Sequence, residues 1–64
     1  PATAIARIAI SCTYDEMVEA ATEEEAFAAA YLSIDGEIAE KSCEAAEGGF
    51  RVRIIYVVTE TINF

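Results

Sequence analysis

Three stretches of the chain have the hydrophobic pattern of strands, and a fourth has the pattern of a helix. Residues 3–12 alternate between two faces, and residues 50–59 are apolar on both faces apart from Arg51 and Arg53. A strand with two apolar faces belongs in the middle of a covered sheet. Residues 37–45 alternate imperfectly and carry charges, which is typical of an edge strand.

The helix is predicted to run from Thr13 to about Ile34. Thr13 is followed three residues later by Glu16, which is the spacing of a capping box. The apolar residues of the stretch fall mainly on one side at helical spacing. Gly36 suits the left-handed position beyond the end of a helix.

Glu24 falls near the centre of the apolar stripe of this helix, where a carboxylate conflicts with the pattern. A second capping box, from Thr22 to Glu25, would allow a kink or a restart of the helix. A stripe that is rotated towards solvent would let Glu24 reach water. The functional interpretation is a carboxylate placed for a ligand or an interface, and the structural one is a snorkelling or paired glutamate.

The order strand, helix, strand, strand predicts a single α+β domain over residues 1–64. Glu47-Gly48-Gly49 predicts a hairpin turn, because paired glycines supply the positive φ angles of such turns. A right-handed crossover leaves a gap beside the first strand, and the most apolar strand fits that gap. The predicted fold is βαββ, a three-stranded antiparallel sheet of order 2-3-1 with one helix packed on one face. Cys12 and Cys43 would then lie about 10 Å apart, too far for a disulfide.

Composition and charge predict self-association and exclude several classes of partner. Of the 64 residues, 55% are hydrophobic, which is a high fraction for a monomer this small. The net charge of −8 disfavours nucleic acid and anionic membrane surfaces. No apolar run approaches the roughly 18 residues of a spanning helix, and no signal-peptide pattern is present. We therefore expect a cytoplasmic homo-oligomer with no membrane or nucleic-acid partner.

Candidate catalytic chemistry is sparse, and the protein is predicted not to be an enzyme. The chain has no histidine, which removes histidine-activated nucleophiles and histidine-ligated zinc. Pro1 before a strand is similar to the N-terminal proline that oxalocrotonate-type tautomerases use as a base. That family follows its helix with a parallel strand, whereas a hairpin follows here. A tautomerase with Pro1 as general base is the enzyme alternative, and a proline left after methionine removal is the other interpretation.

Arg51 and Arg53 lie on the sheet face away from the predicted helix. In an otherwise anionic chain they could bind a phosphate or a carboxylate in a cavity of the oligomer. The structural interpretation is that they pair with acids of a neighbouring subunit. No metal site is predicted, because calcium-loop spacing and zinc-ligand spacing are both missing from the sequence.

The segment from Arg7 to Glu24 resembles the dodecin family. It has a basic residue before an apolar strand, a threonine at position 13, an acidic helix start and alanine-rich first turns. Cys12 and Tyr14 stand where that family has glycine and serine. The last strand is also similar, since Phe50 and Val52 stand where the family has tyrosine and valine.

The resemblance implies a hollow shell of twelve subunits, sheets inward and helices outward, that stores flavins stacked on a tryptophan. This chain has no tryptophan, and the matching place lies around Glu37-Ile38. Arg51 corresponds to the flavin-contacting glutamine of the family. The candidate ligand-contacting residues are therefore Arg51 and Ile38, and flavin is the candidate cofactor of a ligand-binding or ligand-storing oligomer. A purely structural βαββ assembly module is the competing interpretation.

Overall fold

The sheet is built around the last strand of the chain. The computed structural model describes residues 4–63, and its elements are β1 (Ile5–Val18), α1 (Glu23–Tyr31), β2 (Glu37–Ala46) and β3 (Gly49–Asn63). The strands lie in the order β1-β3-β2, and both neighbouring pairs are antiparallel. β3 therefore has a strand on each side wherever β2 is present.

β1 is longer than the sequence predicts. It pairs with β3 along its whole length, from Ile5 opposite Asn63 to Val18 opposite Phe50. The predicted helix start at Thr13 is wrong, because that residue lies inside the strand. Six further residues gain backbone partners in the ladder, and these outweigh the local preference of a threonine for capping.

α1 begins instead at the second capping box. Thr22 is the N-cap, and its hydroxyl accepts a hydrogen bond of 3.2 Å from the backbone N–H of Glu25. The Glu25 carboxylate accepts one of 3.2 Å from the backbone N–H of Ala21. Glu24 lies in the exposed first turn, where a negative charge is favourable at the positive end of the helix. Its conflict with the apolar stripe disappears.

The end of α1 also differs from the prediction. The helix ends at Tyr31, and its C-cap Leu32 keeps a right-handed conformation. Gly36 has no positive φ and does not terminate the helix. A Cβ there would lie 2.6 Å from the carbonyl oxygen of Val57, so the glycine allows the start of β2 to approach β3.

These extents correct the predicted fold. The prediction of a 2-3-1 sheet of short strands under a long helix is wrong as an architecture. The elements follow the order strand, helix, strand, strand, and β3 lies between β1 and β2, but β1 has 14 residues, β2 has 10, β3 has 15, and α1 has only 9. α1 is thus about 14 Å long and β1 about 46 Å. The helix covers the middle of a sheet face and leaves the rest uncovered.

The core is small and lies between α1 and the middle of the sheet. Ala26, Ala30, Val52 and Ile54 are fully buried. The partly buried side chains around them are Tyr14, Val18, Ala20, Phe27, Tyr31, Ile34, Cys43, Phe50 and Tyr56. The two alanines bring the helix close to the sheet, because a methyl group occupies little space.

A tight turn joins β2 to β3 where the paired glycines predict it. Ala46 is opposite Gly49, so Glu47 and Gly48 form the turn. Gly48 has a φ of 83°, a backbone conformation that residues with a Cβ rarely adopt. A Cβ on Gly49 would collide with the carbonyl oxygen of Val18 on β1. Both glycines are therefore required by the local geometry.

β1 and β3 continue beyond β2 as a two-stranded ribbon. β2 pairs with β3 only as far as Glu37 opposite Val57, so residues 5–10 and 58–63 pair with each other alone in the described part of the chain. We call these residues the ribbon. The chain measures 58 × 15 × 13 Å, and its radius of gyration is 15.9 Å. A compact domain of this length has a radius of gyration of about 11 Å. Across residues 4–63, no helix has the length and apolarity that a bilayer crossing requires.

Candidate functional site

The sheet face opposite α1 carries both arginines of β3. Side chains alternate along a strand, and the buried residues of β3 point towards α1, so Arg51 and Arg53 point away. Asp15 of β1 and Ser42 of β2 are the cross-strand neighbours of Arg53, and Glu44 of β2 is opposite Arg51. These five residues form what we call the arginine face.

Asp15 and Arg51 form a two-point ion pair across β1 and β3. Arg51 donates from Nε to Oδ1 over 2.9 Å and from Nη2 to Oδ2 over 3.3 Å. This hydrogen bonding holds the pKa of Asp15 below its ordinary value; desolvation opposes it, and the charges of Arg51 and Arg53 add to it. The same bonding raises the pKa of Arg51. The side chain of Arg51 is 62% exposed and that of Asp15 is 37% exposed. Because solvent screens an exposed ion pair, this one orients Arg51 more than it stabilises the fold.

Arg53 is the cation of this face that is available to a ligand, since it makes no salt bridge within residues 4–63. It borders two shallow clefts that share Ser42. The first measures about 470 Å³, and its other lining residues are Glu40, Lys41 and Ile55. The second measures about 440 Å³, and its other lining residues are Asp15, Cys43, Glu44 and Arg51. A guanidinium next to a hydroxyl supplies the donors that carboxylate and phosphate oxygens accept from.

The two candidate ligand-contacting residues are not brought together within one chain. Arg51 lies on the arginine face. Ile38 is opposite Tyr56, so it lies on the α1 side of the sheet, where it is 39% exposed. Tyr56 is five residues from Arg51, about 17 Å along β3. A site that used both Arg51 and Ile38 would require two copies of the chain.

A second cluster lies on the α1 side, and the sequence analysis missed it. Lys41 donates from Nζ to the hydroxyl of Tyr31 over 2.9 Å. Its Nζ is 5.0 Å from the ring centre of Phe27 and 5.6 Å from that of Tyr31. The two rings are stacked with centroids 6.1 Å apart. Here the chain's own lysine occupies the cation position over the aromatic faces, so the cluster fastens α1 to β2.

Part of this cluster had a signal in the sequence. Phe27 and Tyr31 are four residues apart, which places them together on a helix. The position of Lys41 has no such signal in the sequence. The ladder shifts register between Ile38 and Glu40, and this bulge places Lys41 on the same face as Ile38 instead of the opposite one. A cleft of about 520 Å³ borders the cluster on its outer side.

The environment of Cys43 disfavours its thiolate form. Cys12 and Cys43 have free thiols and lie on the two edge strands, with β3 between them. Desolvation, followed by the nearby carboxylate of Glu23, raises the pKa of Cys43, so little of it is thiolate at neutral pH. Among the described residues, no three side chains of the metal-binding types are grouped closely enough to hold an ion.

Comparisons with known proteins do not assign the chain to a family. No family model matches it, and neither the curated proteins nor the solved structures give a significant match. The similarity to dodecins therefore depends on the residues quoted above. Pro1, the candidate base of the tautomerase alternative, lies outside the described residues 4–63.

Proposed function

We propose that the chain forms a homo-oligomer of the dodecin type, which holds a small anionic ligand at the arginine face. The observation that carries this proposal is the surface that the folded chain exposes. Its accessible surface is 4864 Å², whereas a compact monomer of this mass exposes about 4000 Å². The excess of about 900 Å² is close to the roughly 800 Å² that each partner contributes to a standard interface.

The exposed surface includes large apolar side chains and open strand edges. The exposed large apolar side chains are Ile5, Ile8, Ile10, Met17, Leu32, Ile38 and Ile62. Within residues 4–63, the outer edges of β1 and β2 have no strand beside them. Open edges and exposed apolar side chains are the surfaces that association covers.

The two arginines of the arginine face support an anionic ligand. The chain has four basic residues against twelve acids, yet two of the four stand two residues apart on this face. Asp15 holds Arg51 in place, and Arg53 with Ser42 faces open clefts. No tryptophan supplies a stacking platform. The recognition that we propose is therefore of a phosphate or carboxylate group.

Light scattering after size-exclusion chromatography tests the oligomer. We expect a mass that is a multiple of 6.9 kDa, and a mass that stays constant on dilution over the working range. A mass of one chain at every concentration would overturn the proposal. A cytoplasmic location, which we also propose, is tested by fractionating cells that produce the chain.

Fluorescence titration with two flavins tests the ligand class. Flavin mononucleotide has a phosphate and riboflavin has none, so we expect the phosphorylated flavin to bind more tightly. Arg53→Gln should lower the ratio of the two affinities by about tenfold or more, since a hydrogen bond to a charged group is lost. The matched control Arg7→Gln, on the exposed start of β1, should leave it unchanged.

The outcome of that titration also separates the two non-enzyme interpretations. An oligomer that binds neither flavin, nor inorganic phosphate by calorimetry, would be a purely structural assembly module. The observation that favours this second candidate is the Asp15–Arg51 ion pair, in which one arginine already has an acidic partner. Equal binding of both flavins would contradict phosphate recognition while leaving ligand storage in place.

A further inference from the structure

The ribbon has one face that continues the α1 side of the sheet and one that continues the arginine face. On the α1 side it carries Ile8 and Ile10 of β1 and Val58 and Ile62 of β3, together with Ala6 and Glu60, because directly opposed residues share a face. We call Ile8, Ile10, Val58 and Ile62 the isoleucine face. α1 does not extend over them, and β2 ends before them.

The isoleucine face is exposed although it is apolar. Ile8 is 43% exposed, Ile10 is 40% exposed and Ile62 is 37% exposed. A two-stranded ribbon without a cover is only marginally stable in water. The ribbon nevertheless forms the end of a molecule that is 58 Å long, so it requires apolar material from elsewhere.

The distribution of charge indicates what that material is. Arg7 and Glu60 are the charged residues of the ribbon; they lie on opposite faces, and the ribbon as a whole has no net charge. The whole net charge of −8 therefore lies in the rest of the chain. A basic partner would be attracted to that acidic part. A second copy of the chain is repelled by that acidic part. Because charges are screened within about 8 Å at physiological salt, two copies meet with least repulsion at the neutral ribbon.

We propose that the isoleucine face is the contact between two copies of the chain, related by a two-fold axis near Ile10 and Val58. This inference rests on the proposed self-association and adds its location. Two-fold symmetry places the same face of each copy against the other. Ile10 and Val58 are directly opposite on neighbouring strands, so they form the centre of the contact. Glu60 lies on the same face, opposite Ile8 and between Val58 and Ile62. Among the described residues, the outer edge of β3 is open here because β2 has ended, so the carboxylate of Glu60 reaches water past that edge.

Paired charge substitutions test this contact and its symmetry. Ile10→Glu and Ile10→Lys each place like charges across the axis, which breaks this contact. Each variant alone should therefore form an oligomer of lower mass than the wild-type chain. An equal mixture should restore the wild-type mass, because opposite charges then face each other. Thr59→Glu and Thr59→Lys are the matched controls, since Thr59 is exposed on the other face of the same ribbon. Circular dichroism checks that every variant is folded.

The outcomes are distinguishable by light scattering. Loss of mass in each Ile10 variant and its return on mixing would support the contact. An unchanged mass would place the interface elsewhere and overturn this inference while leaving the proposed oligomer. Loss without return on mixing would show that the contact is not two-fold. A wild-type chain that is monomeric would overturn the proposed function itself. If an Ile10 variant does not fold, the same pair at Val58, which is also next to the axis, gives the same readings.

Discussion

Ile54 gives the most quantitative prediction, because its side chain is fully buried between α1 and the sheet. Ile54→Ala removes the equivalent of three methylene groups, which is about 2.4 kcal/mol at about 0.8 kcal/mol each. The cavity left behind adds to this, since a close-packed site collapses only in part. We expect the free energy of unfolding to fall by about 3 kcal/mol. For a domain of this size that corresponds to a melting temperature lower by about 12–24 °C.

Ile38→Ala is the matched control. It makes the same chemical change on the same side of the sheet, but Ile38 is 39% exposed, so less burial is lost and no enclosed cavity forms. We expect a loss of about 1 kcal/mol. Urea unfolding followed by circular dichroism at 25 °C would measure both variants. The protomer concentration must be the same throughout, because association changes the apparent stability.

The comparison can refute the reasoning directly. Equal losses for the two variants would mean that α1 does not pack on the middle of β3. If Ile54→Ala lowers the free energy of unfolding by less than about 1 kcal/mol, the conclusion is the same, because truncating a buried isoleucine in a packed core destabilises a protein by more than that. Ile54→Val should give a smaller loss than Ile54→Ala, of about 1 kcal/mol.

Three further predictions concern the cap, the ion pair and the turn. Thr22→Ala should destabilise α1 by about 1 kcal/mol and speed hydrogen exchange of its amides, whereas Thr13→Ala should leave that exchange unchanged, because Thr13 lies in β1. Faster exchange in both would contradict the assignment of the cap. The pKa of Asp15 is lowered from 3.8 in the folded chain; its contribution to stability is therefore present above that value and is lost as pH falls through the folded pKa. Asp15→Asn should flatten the acid limb of a curve of stability against pH, and an unaltered limb would show that the pair to Arg51 contributes nothing. Gly48→Ala forces a side chain into a φ of 83° and should cost about 1 kcal/mol by thermal unfolding, more than Gly48→Asn does.

The sequence predicts β3 and the turn before it because their signals are local and strong. A run that is apolar on both faces fits the centre of a sheet, and β3 does lie between the other two strands. The glycines at 48 and 49 fit a turn that requires a positive φ and a close backbone approach. The face of Arg51 and Arg53 follows from alternation alone.

The boundary between β1 and α1 could not be predicted from local signals. Thr13 and Glu16 have the spacing of a capping box, but their backbones gain partners from residues more than thirty positions away in β3. That long-range pairing has no local signature. The local pattern assigns Asp15 to a helix, so it does not predict the ion pair with Arg51 either.

The position of Lys41 could not be predicted for a different reason. A bulge changes which face every later residue of a strand occupies, and alternation read from the sequence assumes that there is none. The register shift between Ile38 and Glu40 therefore moved Lys41 to the α1 side, where it meets Phe27. The cluster is visible only in the folded chain.

The central place of β3 determines when the sheet can form. Within residues 4–63, every strand partner of β1 and β2 belongs to β3, which is synthesised after the other three elements, and β1 pairs with residues 32 to 58 positions away. Such long-range closure makes folding slow. While the chain is being synthesised, β1 is an unpaired apolar strand, and pairing between neighbouring nascent chains competes with folding. How much native protein a cell recovers is thus decided by the interval between the synthesis of β1 and that of β3.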